Sequence, residues 1–246
     1  METQKHRLQL LKLGYAHLLD VSVRAFDRPG FVPAVTRRRG AQDWADWVTH
    51  VWLVSLDGTV VCSVSPDLAE PILAFFQARP HTSLLDPGFL DEARAVAGHG
   101  HWSQMPLFTY LKTTPPRVAT PHRVARLAPG DPHCSHVFRH FDGDVYAVRD
   151  REGHILSHAG IKNRGIVQEI GVWTREDQRG KGMGKAVVAQ AASEILARGL
   201  VPVYTPDRAD NRPSFALIHA LGFEQVGEML LLEERLPDWQ GYGWDP

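Results

Sequence analysis

The chain has 246 residues, 43% of them hydrophobic, with 27 Lys and Arg against 28 Asp and Glu for a formal net charge of −1. This describes a soluble globular chain with room for one large domain or two small ones, and neither a disordered nor a membrane-embedded protein. No apolar run approaches transmembrane length, and Met1–Lys5 are not followed by the apolar core of a signal peptide, so the expected setting is cytoplasmic.

Leu8, Leu10, Leu11, Leu13, Leu18 and Leu19 suggest an opening helix with one apolar side. Val51–Ser55 and Thr59–Cys62 flank Leu56-Asp57-Gly58 and read as a β-hairpin. A helix carrying Leu68, Ile72, Leu73, Phe75 and Phe76 is expected to start at Pro66. The Pro- and His-rich section Ala97–Pro132 marks the expected boundary, giving an N-terminal α/β domain over 1–114 and a second domain over 115–246. Beyond it, Val145–Arg149, His154–Ile161 and Val167–Thr174 read as three strands, the first two joined by a turn at Asp150–Gly153. Val187, Val188, Ala191, Ala192, Ile195 and Leu196 repeat at helical spacing, and Gly199 suits the C-cap. Leu200–Thr205 is a further strand, Pro213 opens a short helix that stops at Gly222, and Gly227–Glu233 is a closing strand.

Several clusters are set aside. His99-Gly100-His101 and His133-Cys134-Ser135-His136 have metal-compatible spacing but lack a second pair of strong ligands, so no metal is expected. Cys62 and Cys134 imply no disulfide framework. Arg37-Arg38-Arg39 is isolated in a neutral chain and reads as a solvated face, so no nucleic-acid partner is expected. Trp44, Trp47 and Trp52 read as core or interdomain packing, since no basic groove accompanies them.

Between the strand ending at Thr174 and the helix from Ala186 stands Arg179-Gly180-Lys181-Gly182-Met183-Gly184-Lys185. Glycines at such a turn let backbone N–H groups approach an anion at the positive end of the helix dipole. The spacing is not Gly-x-Gly-x-x-Gly, and Lys185 is followed by Ala186 rather than by the Ser or Thr of a nucleotide-binding P-loop. Arg179-x-x-Gly182-x-Gly184 resembles the coenzyme A pyrophosphate loop of the GCN5-related N-acetyltransferase (GNAT) family. Val172-Trp173-Thr174, Asn211-x-x-Ser214 and Leu221-Gly222-Phe223 extend the resemblance over roughly residues 120–236, about half of the chain.

The resemblance implies a mixed-sheet α/β acyltransferase fold in the C-terminal half, preceded by a smaller α/β unit that in some relatives is a degenerate copy of the same fold. It implies acetyl-CoA as co-substrate and a small-molecule or peptide amine as acceptor, with no membrane partner, and it leaves a homodimer open. The backbone of Val172, Trp173 and Thr174 would pair with the pantetheine arm. Arg179, Gly180, Lys181, Gly182, Met183 and Gly184 would hold the pyrophosphate, and Asn211 and Ser214 would line the far side of the cofactor. Glu169 stands where many relatives place a proton-accepting glutamate; an exposed strand-edge charge is its other reading. The tyrosine that protonates the leaving thiolate in many relatives is Ile218 here, with His219 one helical step out of line, which leaves Tyr204, Ser214 or water. A catalytically silent acyl-CoA-binding module is the alternative function.

Overall fold

The computed structural model describes residues 2–39, 42–44, 47–79, 83–98, 100–128, 141–206 and 211–235. The residue pairs His133–His136 and Cys134, together with His99, lie outside this set. The elements are α1 (Glu2–Leu19), β1 (Gly30–Val35), β2 (Gln42–Trp44), β3 (Trp47–Leu56), β4 (Thr59–Val64), α2 (Ala69–Gln77), α3 (Pro87–Ala97), β5 (His101–Thr109), β6 (Ala125–Arg126), β7 (Val145–Arg149), β8 (Ile155–Arg164), β9 (Val167–Thr174), α4 (Met183–Ala197), β10 (Val201–Tyr204), α5 (Arg212–Leu221) and β11 (Glu224–Arg235). No described helix is long and apolar enough to cross a membrane.

The chain forms two compact units, Met1–Leu18 with Pro106–Gly227, and Leu19–Met105 with Glu228–Pro246. A single cut at 114/115 does not describe them. The reason is packing at the two ends of the chain. Helix α1 lies against the later sheet, so closely that a Cβ on Gly14 would come within 2.4 Å of Val167 Cγ2. Leu230 and Leu232 of β11, in turn, are buried with Val51, Val60, Ile72 and Phe76 of the earlier unit.

In that earlier unit the strands run β1-β4-β3-β11, with β2 beside β3, and β1 parallel to β4. The expected hairpin is there, turned by Asp57 and Gly58, both at positive φ as such a two-residue turn needs. Helix α2 starts at Ala69, three residues after Pro66; α3 stands in a stretch for which no element was expected, and β5 occupies sequence read as boundary. The turn from β4 into α2, Ser65–Leu68, contains no glycine and so offers no second phosphate loop. Arg37 and Arg38 are exposed, whereas Arg39 is only 5% exposed, its guanidinium 5.1 Å from the Trp52 ring centroid. The expected solvated face therefore fails at Arg39, because stacking on an indole gives a guanidinium an apolar bed.

The other unit is a mixed sheet in the order β5-β10-β9-β8-β7-β6. One face carries Phe108, Tyr146, Ile161, Ile170 and Tyr204 and is covered by α4 and α5 through Val187, Val188, Ala191, Ala192, Ile195, Ile218 and Leu221. Gly199 and Gly222 end these helices in the left-handed region; Leu200 N–H donates to Ile195 O at 3.1 Å and Phe223 N–H to Ile218 O at 3.1 Å. On the opposite face Gly160 and Gly171 pair across β8 and β9, and Phe141 fills the slot they leave. A Cβ on Gly160 would sit 2.2 Å from that ring. Gly160→Ala is expected to destabilise the fold by about 1–3 kcal/mol through overpacking, read by chemical denaturation.

Candidate functional site

The site is built at the end of β9. Its ladder with β10 is short, Val201↔Val167 to Val203↔Glu169, while β9 runs on to Thr174 with β8 still paired on its other side. Past Glu169, among the described residues, one backbone edge of β9 faces no strand. Which groups point there follows from hydrogen bonding on the far side of β8. Ile161 accepts from Gly143 N–H at 2.9 Å and donates to Asp144 O at 3.0 Å, so its main chain is turned toward β7. Arg175 N–H donates to Leu156 O at 2.9 Å, so the even-numbered residues of β8 serve β9. Antiparallel alternation then turns the N–H and C=O of Ile170, Val172 and Thr174 to the open edge. Ile166 O, which accepts from Val201 N–H of β10 at 3.0 Å, has the same parity.

Trp173 is turned the other way. Its main chain faces β8, its carbonyl accepts from Ser157 Oγ at 3.0 Å, and its indole stacks on His158 at 5.5 Å. Val172 and Thr174 can present backbone to an added chain; Trp173 does not.

The edge leads through a short 3₁₀ turn, Glu176–Gln178, into the glycine loop. Gly180 (φ 79°) and Gly182 (φ 83°) both occupy the left-handed region, with open space where a Cβ would stand. Gly182 is the N-cap of α4 and has no side chain to cap with; its carbonyl accepts from Ala186 N–H at 3.1 Å. The N–H groups of Met183, Gly184 and Lys185 thus lie in the first turn, where no intrahelical acceptor exists. Gly184 serves sterically, since a Cβ there would lie 3.1 Å from Leu217 Cδ1 and 3.2 Å from Thr174 Oγ1. Met183 contributes backbone alone, its side chain being buried in the core. Arg179, Lys181 and Lys185 are exposed around the loop; Lys181 Nζ donates to Gln178 Oε1 at 3.0 Å and Arg179 Nε lies 3.4 Å from Thr174 O. N–H groups of a first helical turn and three exposed cations are the features that an anion site requires.

The candidate catalytic side chains fall on opposite faces of the sheet. Glu169 lies away from α4, accepts from Thr205 Oγ1 at 2.9 Å and stands 3.7 Å from Lys162 Nζ. Its side chain is 23% exposed, so it is not the free strand-edge charge of the other reading. Burial pushes its pKa up, but Lys162, Arg164 and the Thr205 hydroxyl outweigh that and hold it below the ordinary glutamate value. Nearby, burial lifts the Tyr15 phenol well above its usual range, and the Glu169 charge adds to the effect. Tyr204 is on the α4 face, its hydroxyl 3.4 Å from Ser214 Oγ, so the structure brings these two together and apart from Glu169. Asn211 caps α5 by accepting from Ser214 N–H at 3.3 Å. Ile218 is fully buried in the core, while His219 is exposed, with its ring against Phe108 and Phe215.

Elsewhere, Asp150, Glu152 and His154 bring donor atoms within 4.8 Å of one another on the β7–β8 turn. Asp150 is already engaged there, accepting from His154 N–H at 2.8 Å and lying 3.1 Å from His154 Nδ1.

The family model described as GNAT acetyltransferase matches residues 152–232, from the β7–β8 turn through β11. The L-methionine sulfoximine/L-methionine sulfone acetyltransferase of Pseudomonas paraeruginosa is 29% identical over 102 residues, which is 39% of this chain and 59% of that protein. An acetyltransferase from Sodalis glossinidius is 28% identical over 104 residues, 41% of this chain and 72% of that one. A GCN5-related N-acetyltransferase of known structure from Sphaerobacter thermophilus is 13% identical, covers 72% of each chain and gives a TM-score of 0.48. The glycine loop, the open strand edge and the capped α5 all fall inside the matched segment, and residues 152–232 are a GNAT acetyltransferase domain.

Proposed function

We propose that the protein transfers an acetyl group from acetyl-CoA to a primary amine by direct attack. The observation that carries this reading is the open edge of β9 running directly into the glycine loop at the start of α4. A pantetheine arm is rich in amides and suits an edge that offers Val172 and Thr174 backbone, much as an added strand does. The pyrophosphate that follows suits the N–H groups of the loop and of the first turn of α4. Two relatives are named for acetylation of L-methionine sulfoximine and L-methionine sulfone, both of which carry primary amines. The curated relatives above are all named as acetyltransferases.

In this reading the amine arrives on the Glu169 face and the thiol leaves on the Tyr204 face. The nitrogen attacks the thioester carbon, the C–S bond breaks, and a main-chain N–H of the β9 edge stabilises the oxyanion. An alkylammonium of pKa about 10.4 lies about 6 units above a carboxylate, roughly 8 kcal/mol uphill for prior deprotonation. The amine therefore attacks as the small neutral fraction present at pH 7, and Glu169, directly or through water, takes the proton that becomes acidic on the nitrogen once the C–N bond forms. The thiolate has a pKa near 8.5 and leaves without an obligatory acid. Tyr204→Phe and Ser214→Ala are each expected to lower turnover less than tenfold, or under about 1.4 kcal/mol of barrier. A hundredfold loss in Tyr204→Phe with cofactor affinity intact would place the acid at Tyr204.

The test is release of CoA from acetyl-CoA across a panel of amines that includes amino-acid analogues, amino sugars and peptides. Amine-dependent release with at least one class supports the reading. Binding of acetyl-CoA without turnover on any of them contradicts it.

A further inference from the structure

Residues 111–124 join β5 to β6, the two end strands of the β5-β10-β9-β8-β7-β6 sheet, and lie outside the segment matched to the acetyltransferase family. This stretch is fastened at several points. Tyr110 Oη donates to Thr114 O at 2.7 Å, Pro116 is buried, and Val118 and Val124 pack against the core beneath α4. Pro115, Pro116 and Pro121 stiffen it by restricting the chain before it folds. At its far end His122 N–H donates to Thr120 Oγ1 at 3.1 Å, and His122 Nε2 lies 2.8 Å from the carbonyl oxygen of Lys181 in the glycine loop. A carbonyl oxygen can only accept, so Nε2 carries the hydrogen and donates.

We propose that His122 is a positioning residue for the anion-binding loop. It holds the Lys181–Gly182 peptide in the one orientation that leaves the Gly182 N–H directed away from the strap. The argument rests on the peptide plane. In a trans peptide the C=O of one residue and the N–H of the next point in opposite directions, so fixing Lys181 O fixes Gly182 N–H. That peptide lies between the Cα atoms of Lys181 and Gly182, and Gly182, at positive φ with open space where a Cβ would stand, does not itself prevent it from turning over. The Lys181 side chain, bonded to Gln178, does not restrain its own carbonyl. The hydrogen bond from His122 does. A loop kept in one state binds an anion without first being ordered, and the gain appears in affinity.

The proposal rests on the acetyl-CoA reading, and the experiment separates the two. Wild type, His122→Ala and His122→Gln are titrated calorimetrically with acetyl-CoA, and kcat and KM are measured with acetyl-CoA and with acetyl-pantetheine, which lacks the pyrophosphate. Glutamine can place an N–H donor near the position of Nε2. The expected result is a Kd and KM for acetyl-CoA about tenfold higher in His122→Ala, a difference of ~1.4 kcal/mol, with kcat unchanged. His122→Gln should stay within about threefold of wild type, and kcat/KM for acetyl-pantetheine should be the same in all three. Equal acetyl-CoA affinity in wild type and His122→Ala overturns the proposal. An equal loss with both donors, or a loss that glutamine does not restore, also overturns it, because the strap would then be merely structural. Failure of the wild type itself to bind acetyl-CoA overturns the acetyl-CoA reading and this proposal with it.

Discussion

Reversing charge at the glycine loop, Arg179→Glu together with Lys185→Glu, is expected to weaken acetyl-CoA binding by about a hundredfold or more, some 2.7 kcal/mol. The pyrophosphate would meet two carboxylates where it now meets two cations, beside N–H groups that cannot move away. The loss should shrink as salt rises, since both side chains are exposed and screened. The thermal transition should hardly change, because Lys185 and Arg179 are both exposed and, among the described residues, Arg179 makes one long contact, to Thr174 O at 3.4 Å. Gly184→Glu puts a carboxylate in the same loop but is a poorer probe, since its Cβ would press on Leu217 and Thr174. Calorimetry on the double variant checks the expectation, and undiminished affinity in a folded protein contradicts the anion site.

Glu169→Gln is expected to lower turnover by roughly 10²–10⁴ with acetyl-CoA affinity retained. The substitution keeps the shape and the bond from Thr205 but removes the charge facing Lys162 and Arg164. It also carries a stability signature. The folded-state pKa of Glu169 lies below its unfolded value, so its contribution is fully present above about pH 4.3 and is lost as pH falls through the folded value. Wild type should therefore exceed the Gln variant in stability at pH 7, and the gap should close in strong acid. Denaturation at the two pH values and steady-state turnover check both halves. Unchanged turnover would make Glu169 a structural anion and place proton transfer elsewhere.

The glycine loop was legible in the sequence because its requirement is local. A chain that turns from strand to helix with backbone exposed to a ligand needs positive φ at set positions, and Gly180 and Gly182 supply it. The ends of α4 and α5 were legible for the same reason, through Gly199 and Gly222. The parity of the β9 edge was not. Whether Val172 or Trp173 turns its main chain outward depends on how β8 bonds to β7, a matter of register that side-chain pattern does not encode. Membership of the two units was hidden as well. The leucines of α1 and of β11 announce an apolar face but not the sheet that covers it. Strand β5 was obscured by Pro106 and the histidines around it, although Trp102, Met105, Leu107 and Phe108 are all buried. His122 carried no signal at all, for its role exists only once the strap lies beside Lys181.

Amide hydrogen exchange of the protein with and without acetyl-CoA tests the central claim most directly, since it locates the cofactor on the backbone that is said to hold it. The expected result is slowed exchange at Val172, Thr174 and the amides from Gly180 to Lys185, with little change at Trp173, whose N–H already serves β8. Protection confined to other segments, or absent from the β9 edge and the glycine loop while acetyl-CoA is bound, would contradict it.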